Sequence, residues 1–512
     1  MADQLTINPG AITTSHDKPR LEQFDVLIVG AGLSGIGAAY HLQTECPGKS
    51  FVILEARNAT GGTWDLFRYP GIRSDSDMFT LGYRFRPWRE SKAIADGPSI
   101  LRYIRETASE HGIDRKIRFG HHVTRACWSS EDARWMVEAT DANGEPVQFV
   151  CNFLYMCSGY YDYSEGYMPG WPGMERFRGQ IVHPQKWPED LKYSGKRIVV
   201  IGSGATAVTL VPALTDEAAH VTMLQRSPTY IVARPSQDVI ANFLRKVLPA
   251  RAAYAMVRWK NVLLQMYFYN LARRKPEKTK KGILALVEKE LGSEYDVNKH
   301  FSPRYNPWDQ RLCLVPDSDL FAAIRAGKAS IVTDEIETFT EKGLRLRSGD
   351  ELEADIIVTA TGLRLKLLGG LQIIVDGKPV EMSRTLGYKG VMFSDVPNLA
   401  SAFGYTNASW TLKADLTAAY VCRLLNYMDE KGFAACTPRR RDSDIVEEPM
   451  VNFTSGYFQR ASAILPKQGS EKPWKLYQNY ALDTLALRLG KVDDGTLEFS
   501  RRKNGNRPHS ER

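Results

Sequence analysis

Residues 24–35 read Phe24-Asp25-Val26-Leu27-Ile28-Val29-Gly30-Ala31-Gly32-Leu33-Ser34-Gly35. The apolar run ending at Val29 suits a buried parallel strand. The glycines permit a tight turn and close approach to the backbone, and the residues after them open a helix. The unpaired N–H groups of such a helix, at the positive end of its dipole, attract a pyrophosphate. A glycine pattern alone says little. Here a second apolar run, Phe51 to Leu54, delivers Glu55, where an acid can accept hydrogen bonds from a ribose diol. The stretch therefore predicts a Rossmann-like dinucleotide-binding unit, with Gly30, Gly32, Gly35 and Glu55 as its nucleotide contacts.

The same grammar recurs once. Arg197 to Ile201 is apolar after its first residue and leads into Gly202-Ser203-Gly204-Ala205-Thr206-Ala207. Ala207 replaces the third glycine, a position that needs only a small residue for helix-on-strand packing. The following strand, His220 to Leu224, ends in Gln225-Arg226-Ser227 and not in an acid. A carboxylate there would repel a 2′-phosphate, whereas an arginine attracts one, so the second nucleotide is expected to be NADPH, held by Gly202, Gly204, Ala207, Arg226 and Ser227. Two nucleotides imply electron transfer. The apolar runs Cys151–Gly159 and Asp355–Gly362, each ending in small residues, mark where the chain passes between the two units. The expected fold class is α/β, with two Rossmann-like dinucleotide-binding domains. One comprises residues 23–160 and 364–500, the other 161–235 and 300–363, with a helical insertion at 236–299, a flexible tail at 1–22 and a disordered one at 501–512.

A chain of 512 residues exceeds what one hydrophobic core organises. The seven cysteines are scattered and contain no Cys-x-x-Cys, which argues against a disulfide framework, a metal site and a dithiol redox pair. The N-terminal twenty residues are polar, so neither a signal peptide nor a membrane span is expected there, and a cytoplasmic location fits. The net charge of +8 is unevenly placed: Arg245 to Lys281 holds eleven Lys and Arg against the single acid Glu277. Ile240, Phe243, Leu244, Val247 and Leu248 recur at helical spacing, as do Ile283, Leu284, Leu286 and Val287. No nucleic-acid recognition motif accompanies the charge. The apolar run Val262 to Tyr269 between the basic clusters suits peripheral contact with a membrane surface, and a simply solvated helical unit is the plainer alternative. Thr437 to Glu448 is expected to be an exposed connection.

Between the two nucleotide units lies Phe177-Arg178-Gly179-Gln180-Ile181-Val182-His183-Pro184-Gln185-Lys186-Trp187-Pro188. Its spacing of Phe177, Gly179, His183, Trp187 and Pro188 resembles the fingerprint of type I Baeyer–Villiger monooxygenases, flavoenzymes that insert oxygen beside a ketone carbonyl. The runs Gly61 to Asp77, Val199 to Ala213 and Gly404 to Lys413 are similar to the same family. The resemblance implies FAD in the first site and NADPH in the second. It further implies molecular oxygen as co-substrate, and conversion of a small-molecule ketone to an ester through a C4a-peroxyflavin, with oxygenation of a sulfide or thioamide at the same centre. By that likeness Arg311, in Asn306 to Leu312, matches the active-site arginine and Asp75 its carboxylate partner. His183 and Trp187 match linker residues that respond to NADP, and Gly62, Thr63 and Trp64 run along the flavin. Gln310 departs from the pattern, since several members carry a lysine there. The neighbouring alternatives are an N- or S-oxygenating flavin monooxygenase, whose fingerprint usually lacks the final Trp, and a non-catalytic flavoprotein held at a membrane.

Overall fold

The computed structural model describes residues 21–441, 444–451 and 453–502. The expected tails fall outside the described residues, apart from Leu21, Glu22, Arg501 and Arg502. Glu22 opens the first strand and pairs with Arg118 at 2.6 Å.

β1 (Glu22–Val29) runs through the glycine turn into α1 (Leu33–Glu45), and β2 (Phe51–Leu54) returns parallel to it. Val26 to Ile28 and all of β2 are buried, because a parallel strand covered on both faces has no solvent side to alternate with. α2 (Thr63–Leu66) and α3 (Met78–Leu81) are single turns in the long loop that follows, and α4 (Gly97–Glu110) is capped by Asp96. β3 (Ile117–Arg118) extends the sheet beyond β2. β4 (His122–Ser129), β5 (Arg134–Thr140) and β6 (Pro146–Met156) form an antiparallel meander, and the long β6 also lies parallel to β1 from Phe149 to Met156.

The chain then leaves this half through β7 (Tyr161–Gly166). β8 (Gln180–Val182), β9 (Arg197–Ile201), α5 (Ala205–Leu214) and β10 (His220–Gln225) begin a second sheet. β11 (Ile231–Arg234) precedes the helices α6 (Val239–Val247), α7 (Ala250–Arg274), α8 (Pro276–Leu291) and α9 (Val297–Phe301), and β12 (Cys313–Pro316) returns to pair with β11. α10 (Asp319–Arg325), β13 (Ala329–Thr333), the small antiparallel set β14 (Ile336–Thr340), β15 (Gly343–Leu346) and β16 (Glu351–Glu353), and β17 (Ile356–Thr359) complete it. The second sheet is parallel throughout, in the order β13-β10-β9-β17-β8. Its order reverses between β9 and β17, which opens a crevice at their carboxyl ends.

β18 (Leu363–Leu365) runs antiparallel to β7, so both passages between the halves form one two-stranded ribbon. β19 (Gln372–Val375) and β20 (Lys378–Pro379) then join the edge at β4, and Leu399–Ser401 pairs with β6 to complete a nine-stranded first sheet. α11 (Trp410–Lys431) packs its Leu416, Tyr420 and Leu424 into the core that α1 enters through Ile36, Ala39 and Leu42. Thr437 corrects a sequence expectation: Ala435–Pro438 is a buried strand, paired with Leu497–Ser500. Its partner lies some sixty residues away, beyond the reach of local composition.

The helical segment interrupts the second unit in sequence, yet α7 packs on the first. Tyr254, Val257 and Val262 enter the first core, while Val287 of α8 enters the second. Arg258, counted in the basic run, is buried and points inward. Its Nη1 donates to the carbonyls of Phe79 at 2.8 Å and Gly82 at 2.7 Å, and its Nη2 lies 3.3 Å from Asp415 Oδ2. The periodic residues Ile240, Phe243 and Val247 of α6 instead face solvent, at 54%, 61% and 57% exposure. Among the described residues no helix is long and apolar enough to cross a membrane.

Candidate active site

In the first glycine turn two positions require glycine for different reasons. Gly30 has φ +107°, and a Cβ on it would stand 2.6 Å from the Cys157 carbonyl oxygen. A Cβ on Gly35 would stand 1.8 Å from the Gly30 carbonyl oxygen, inside any contact distance. Gly32 caps α1 with no side-chain hydrogen bond, leaving the first N–H groups of the helix for a ligand. The loop carrying Gly62 closes on this turn, since a Cβ on Gly62 would lie 3.1 Å from the Gly32 Cα. Thr63 Oγ1 lies 3.2 Å from the Tyr163 hydroxyl, and Trp64 packs half-buried on the first core. Glu55 accepts hydrogen bonds from the Ala31 N–H at 2.7 Å and the Arg57 N–H at 2.9 Å. Burial pushes its carboxyl above the usual range, and those two N–H groups pull it partly back. A glycine cradle that admits no Cβ, an uncapped helix start and a buried acid at the end of β2 together fit a dinucleotide such as FAD.

The second turn has the same construction. Gly202 has φ +139°, and a Cβ on it would be 2.3 Å from the Ala360 carbonyl oxygen. Gly204 caps α5 without a side-chain bond, and a Cβ there would meet nothing within 4 Å. Ala207 is fully buried, so here a methyl group fits where the first turn has none. Arg226 and Ser227 are exposed at the end of β10, and Arg226 makes no hydrogen bond or ion pair with any described residue. The Ser227 carbonyl accepts from Ser203 Oγ at 3.0 Å. An unpaired guanidinium beside an uncapped helix start fits a coenzyme bearing a 2′-phosphate.

The loop between α2 and α3 joins the two halves. A Cβ on its Gly71 would lie 2.6 Å from Ala213 Cβ of α5, and its Tyr69 packs on the second core together with Trp187. Arg73 in this loop is tied to Asp319 of α10. Asp75 is half-buried and makes no hydrogen bond or ion pair with a described residue. Burial pushes its carboxyl up, and the charges of Arg311 and then Arg73 pull it down without cancelling that rise. Arg311, just before β12, likewise has no hydrogen-bonding or ion-pair partner among the described residues. Burial works against its charge, but Tyr457, Tyr160, Asp75 and Tyr161 surround it and its guanidinium stays protonated. Arg311 and Asp75 therefore act on each other's charge without a hydrogen bond or ion pair between them. Gln310 lies beside Arg311, half-buried.

His183 directly follows β8, and its ring packs on the last residue of β7, where a Cβ on Gly166 would be 1.9 Å from His183 Cε1. Nδ1 accepts from the Gln185 N–H at 3.2 Å, while Nε2 is buried without a partner. Burial holds its pKa below the ordinary histidine value. The residue thus wedges the connecting ribbon against the second sheet. Trp410 Nε1 of α11 donates to Ser34 Oγ at 2.7 Å, which fastens the Gly404–Thr411 loop over the start of α1.

Three features of the site escaped sequence reasoning. Asp65, fully buried, gathers Arg57 at 2.6 Å, Arg105 at 2.7 Å and Arg68 at 3.5 Å beneath the Gly62 loop. Tyr160, Tyr161 and Tyr457 surround Arg311 from two distant segments. Asp77 accepts from Asn261 Nδ2 of α7 at 2.8 Å, which anchors the loop from the other side. The adjacent tyrosines at 160 and 161 were the one sequence signal. Among the described residues, no cluster of His, Cys, Asp or Glu could hold a metal ion.

Residues 93–368 match the family described as flavin-binding monooxygenase-like, and residues 28–93 match an NAD(P)-binding Rossmann-like domain. The chain is 58% identical over 482 residues to the FAD-containing monooxygenase EthA of Mycobacterium tuberculosis, covering 94% of this chain and 98% of that protein. It is 55% identical over 483 residues to EthA of Mycolicibacterium smegmatis, with the same coverage. Among solved structures, a steroid monooxygenase bound to NADP superposes with a TM-score of 0.75 at 20% identity, covering 94% of this chain and all of that one. A cyclohexanone monooxygenase superposes with a TM-score of 0.73, also at 20% identity and the same coverage. At that identity the structures share the fold, whereas the family match and the near full-length relatives share descent as well: the chain belongs to the flavin-binding monooxygenase-like family.

Proposed function

We propose that this chain is an FAD- and NADPH-dependent Baeyer–Villiger monooxygenase that converts small-molecule ketones to esters and oxygenates sulfides or thioamides with molecular oxygen. The observation that carries the reading is Arg311, a permanently charged guanidinium that makes no hydrogen bond or ion pair with any described residue and whose charge interacts with Asp75 and with Tyr160, Tyr161 and Tyr457. FAD, when bound, supplies the electron and oxygen chemistry that side chains cannot. In this reading the Gly30–Gly35 turn, Glu55 and the Gly62–Trp64 segment hold FAD, and Gly202–Ala207 with Arg226 and Ser227 hold NADPH. Arg311 holds negative charge as it develops on oxygen next to the attacked carbonyl, in a site where burial strengthens that attraction. Asp75 restrains the guanidinium when no substrate is present. His183 and Trp187 couple the fill of the second cradle to the position of the ribbon.

The test is incubation of the purified protein with NADPH, oxygen and a panel of linear ketones, aryl ketones, sulfides and thioamides, with products identified by mass. Arg311→Ala should keep FAD and NADPH oxidation, abolish ester formation and divert reducing power to hydrogen peroxide. Ester formation at a near-normal rate by that variant would refute the role given to Arg311.

The same reading includes peripheral contact with an anionic membrane through α6 and α7. The exposed apolar residues of α6 support it, as do Leu263, Tyr267 and Phe268 on α7 and the unpaired exposed cations Lys246, Arg274, Lys275, Lys278 and Lys281. Binding to acidic liposomes that weakens with salt is the expected result, and no binding at low salt would dispose of it.

A further inference from the structure

A cavity of about 350 Å³ opens between the first half of α7, the Arg84–Pro87 segment, Tyr40 of α1 and the turns from Tyr480 to Arg488. None of its lining residues belongs to either glycine cradle or to the surroundings of Arg311. Four arginines line it, Arg84, Arg251, Arg258 and Arg488, and no carboxylate does. The side chains of Arg84, Arg251 and Arg488 make no hydrogen bond or ion pair with any described residue. Arg258 is buried, and its Nε has no partner. The acids nearby are already engaged: Asp415 by Arg258 and His41, Asp483 by Lys413 at 3.0 Å and by the Tyr405 hydroxyl at 2.6 Å. Four guanidinium groups around one cavity repel one another, and an anion of matching size would relieve that repulsion with charge-assisted hydrogen bonds.

The walls are aromatic. Tyr40 and Phe85 stack with centroids 3.5 Å apart, and Trp259 and Tyr480 meet at 5.6 Å. Exposed apolar side chains lie at or next to the lining positions: Met256 beside Ala255, Leu489 beside Arg488, and Leu263 one turn beyond Trp259. Met256, Trp259, Leu263 and Tyr267 follow one another at intervals of three and four, a single exposed stripe along α7. A head that is anionic and a tail that is apolar are both provided for.

We propose that this cavity binds the anionic head of a single-chain amphiphile, a carboxylate or phosphate monoester, whose alkyl chain lies along the exposed stripe of α7. The site stands independently of the oxygenation chemistry and would be occupied whatever ketone the enzyme takes.

The test uses the FAD-loaded protein and dodecyl phosphate or decanoate below their micelle concentrations, titrated by calorimetry. Saturable one-to-one binding is expected. It should weaken at least tenfold in Arg251→Gln/Arg488→Gln, two positions whose side chains have no partner in the fold; thermal unfolding checks that this variant is folded. Lys342→Gln/Lys378→Gln removes the same charge from exposed surface outside the cavity lining and should leave binding intact. A second arm uses vesicles of phosphatidylcholine with phosphatidic acid. Binding of the soluble probes identifies a free amphiphile as the source, and pocket-dependent binding to vesicles alone identifies a bilayer head group. Equal loss in the two double variants, undiminished binding in Arg251→Gln/Arg488→Gln, equal binding of dodecyltrimethylammonium, or no binding in either arm would overturn the proposal.

Discussion

Raising the pH should destabilise the first half of the molecule where α1 meets α11, and His41 sets the range in which this happens. The residue is buried on α1, with Nδ1 2.7 Å from Glu45 Oε1 and Nε2 3.7 Å from Asp415 Oδ1, the same carboxylate that receives Arg258 of α7. Burial alone would strip its proton, but Asp415 and Glu45 outweigh that cost and raise its pKa to about 9. An unfolded histidine titrates near 6.5, and at about 1.4 kcal/mol per unit the protonated ring contributes about 3 kcal/mol to the folded state. Because the folded pKa is the higher one, this stabilisation is fully present below about pH 6.5 and is lost as pH rises through about 9. Arg258 stays charged throughout, so Asp415 always keeps one cation and the loss is bounded by the contribution of His41 itself. Urea unfolding of the FAD-loaded protein and of His41→Gln, followed by tryptophan emission between pH 6 and pH 10, measures the difference. The wild type should exceed the variant by about 3 kcal/mol at pH 6, and the gap should close by pH 10. A gap independent of pH would refute the argument, because a neutral imidazole makes the same packing contacts at both extremes.

Arg226→Ala should lower kcat/KM for NADPH by roughly tenfold to a hundredfold, the effect of losing one charge-assisted contact of about 1.5–3 kcal/mol, and leave NADH kinetics and thermal stability alone, since Arg226 has no partner in the fold. Equal use of both coenzymes by the wild type would remove the role assigned to it. The two turns should answer differently to a methyl group. Gly35→Ala puts a Cβ 1.8 Å from the Gly30 carbonyl oxygen and should yield colourless protein, whereas Gly204→Ala meets nothing within 4 Å and should fold, keep its flavin and bind NADPH more weakly. Flavin absorbance after dialysis and coenzyme titration read out the pair. Gly166→Ala should displace the His183 ring and raise the share of NADPH oxidised to hydrogen peroxide, with FAD content unchanged; unchanged coupling would mean that the wedge is packing and nothing more.

What the sequence made legible is what local backbone geometry demands. A strand buried on both faces, a positive φ and a Cβ-free contact each leave a residue-specific mark, so both turns and the strands leading into them could be read from composition and order. Periodicity located the helices of the inserted segment but not their orientation: it names a face without saying where that face points, and α6 turns its apolar stripe to solvent. The basic run suggested a solvated surface, yet Arg258 within it is buried, because its partners Phe79, Gly82 and Asp415 come from two remote stretches of chain. The three arginines on Asp65 and the tyrosines around Arg311 were invisible for the same reason. Each is a cluster assembled by tertiary contact from residues that are unremarkable alone.

The interleaving of the two halves sets a schedule for synthesis. The second sheet has its last strand when Thr359 emerges from the ribosome, but the first sheet still lacks Leu399–Ser401, and α1 stays uncovered until α11 ends at Lys431. At about 5–20 residues per second, α1 waits roughly 20–80 s for its cover. During that interval the nascent chain carries a finished nucleotide unit tethered to an open sheet whose apolar flank is exposed. Chains interrupted before Lys431 leave that flank bare permanently, which makes the C-terminal third of the molecule, remote in sequence from both glycine turns, the part on which its solubility depends.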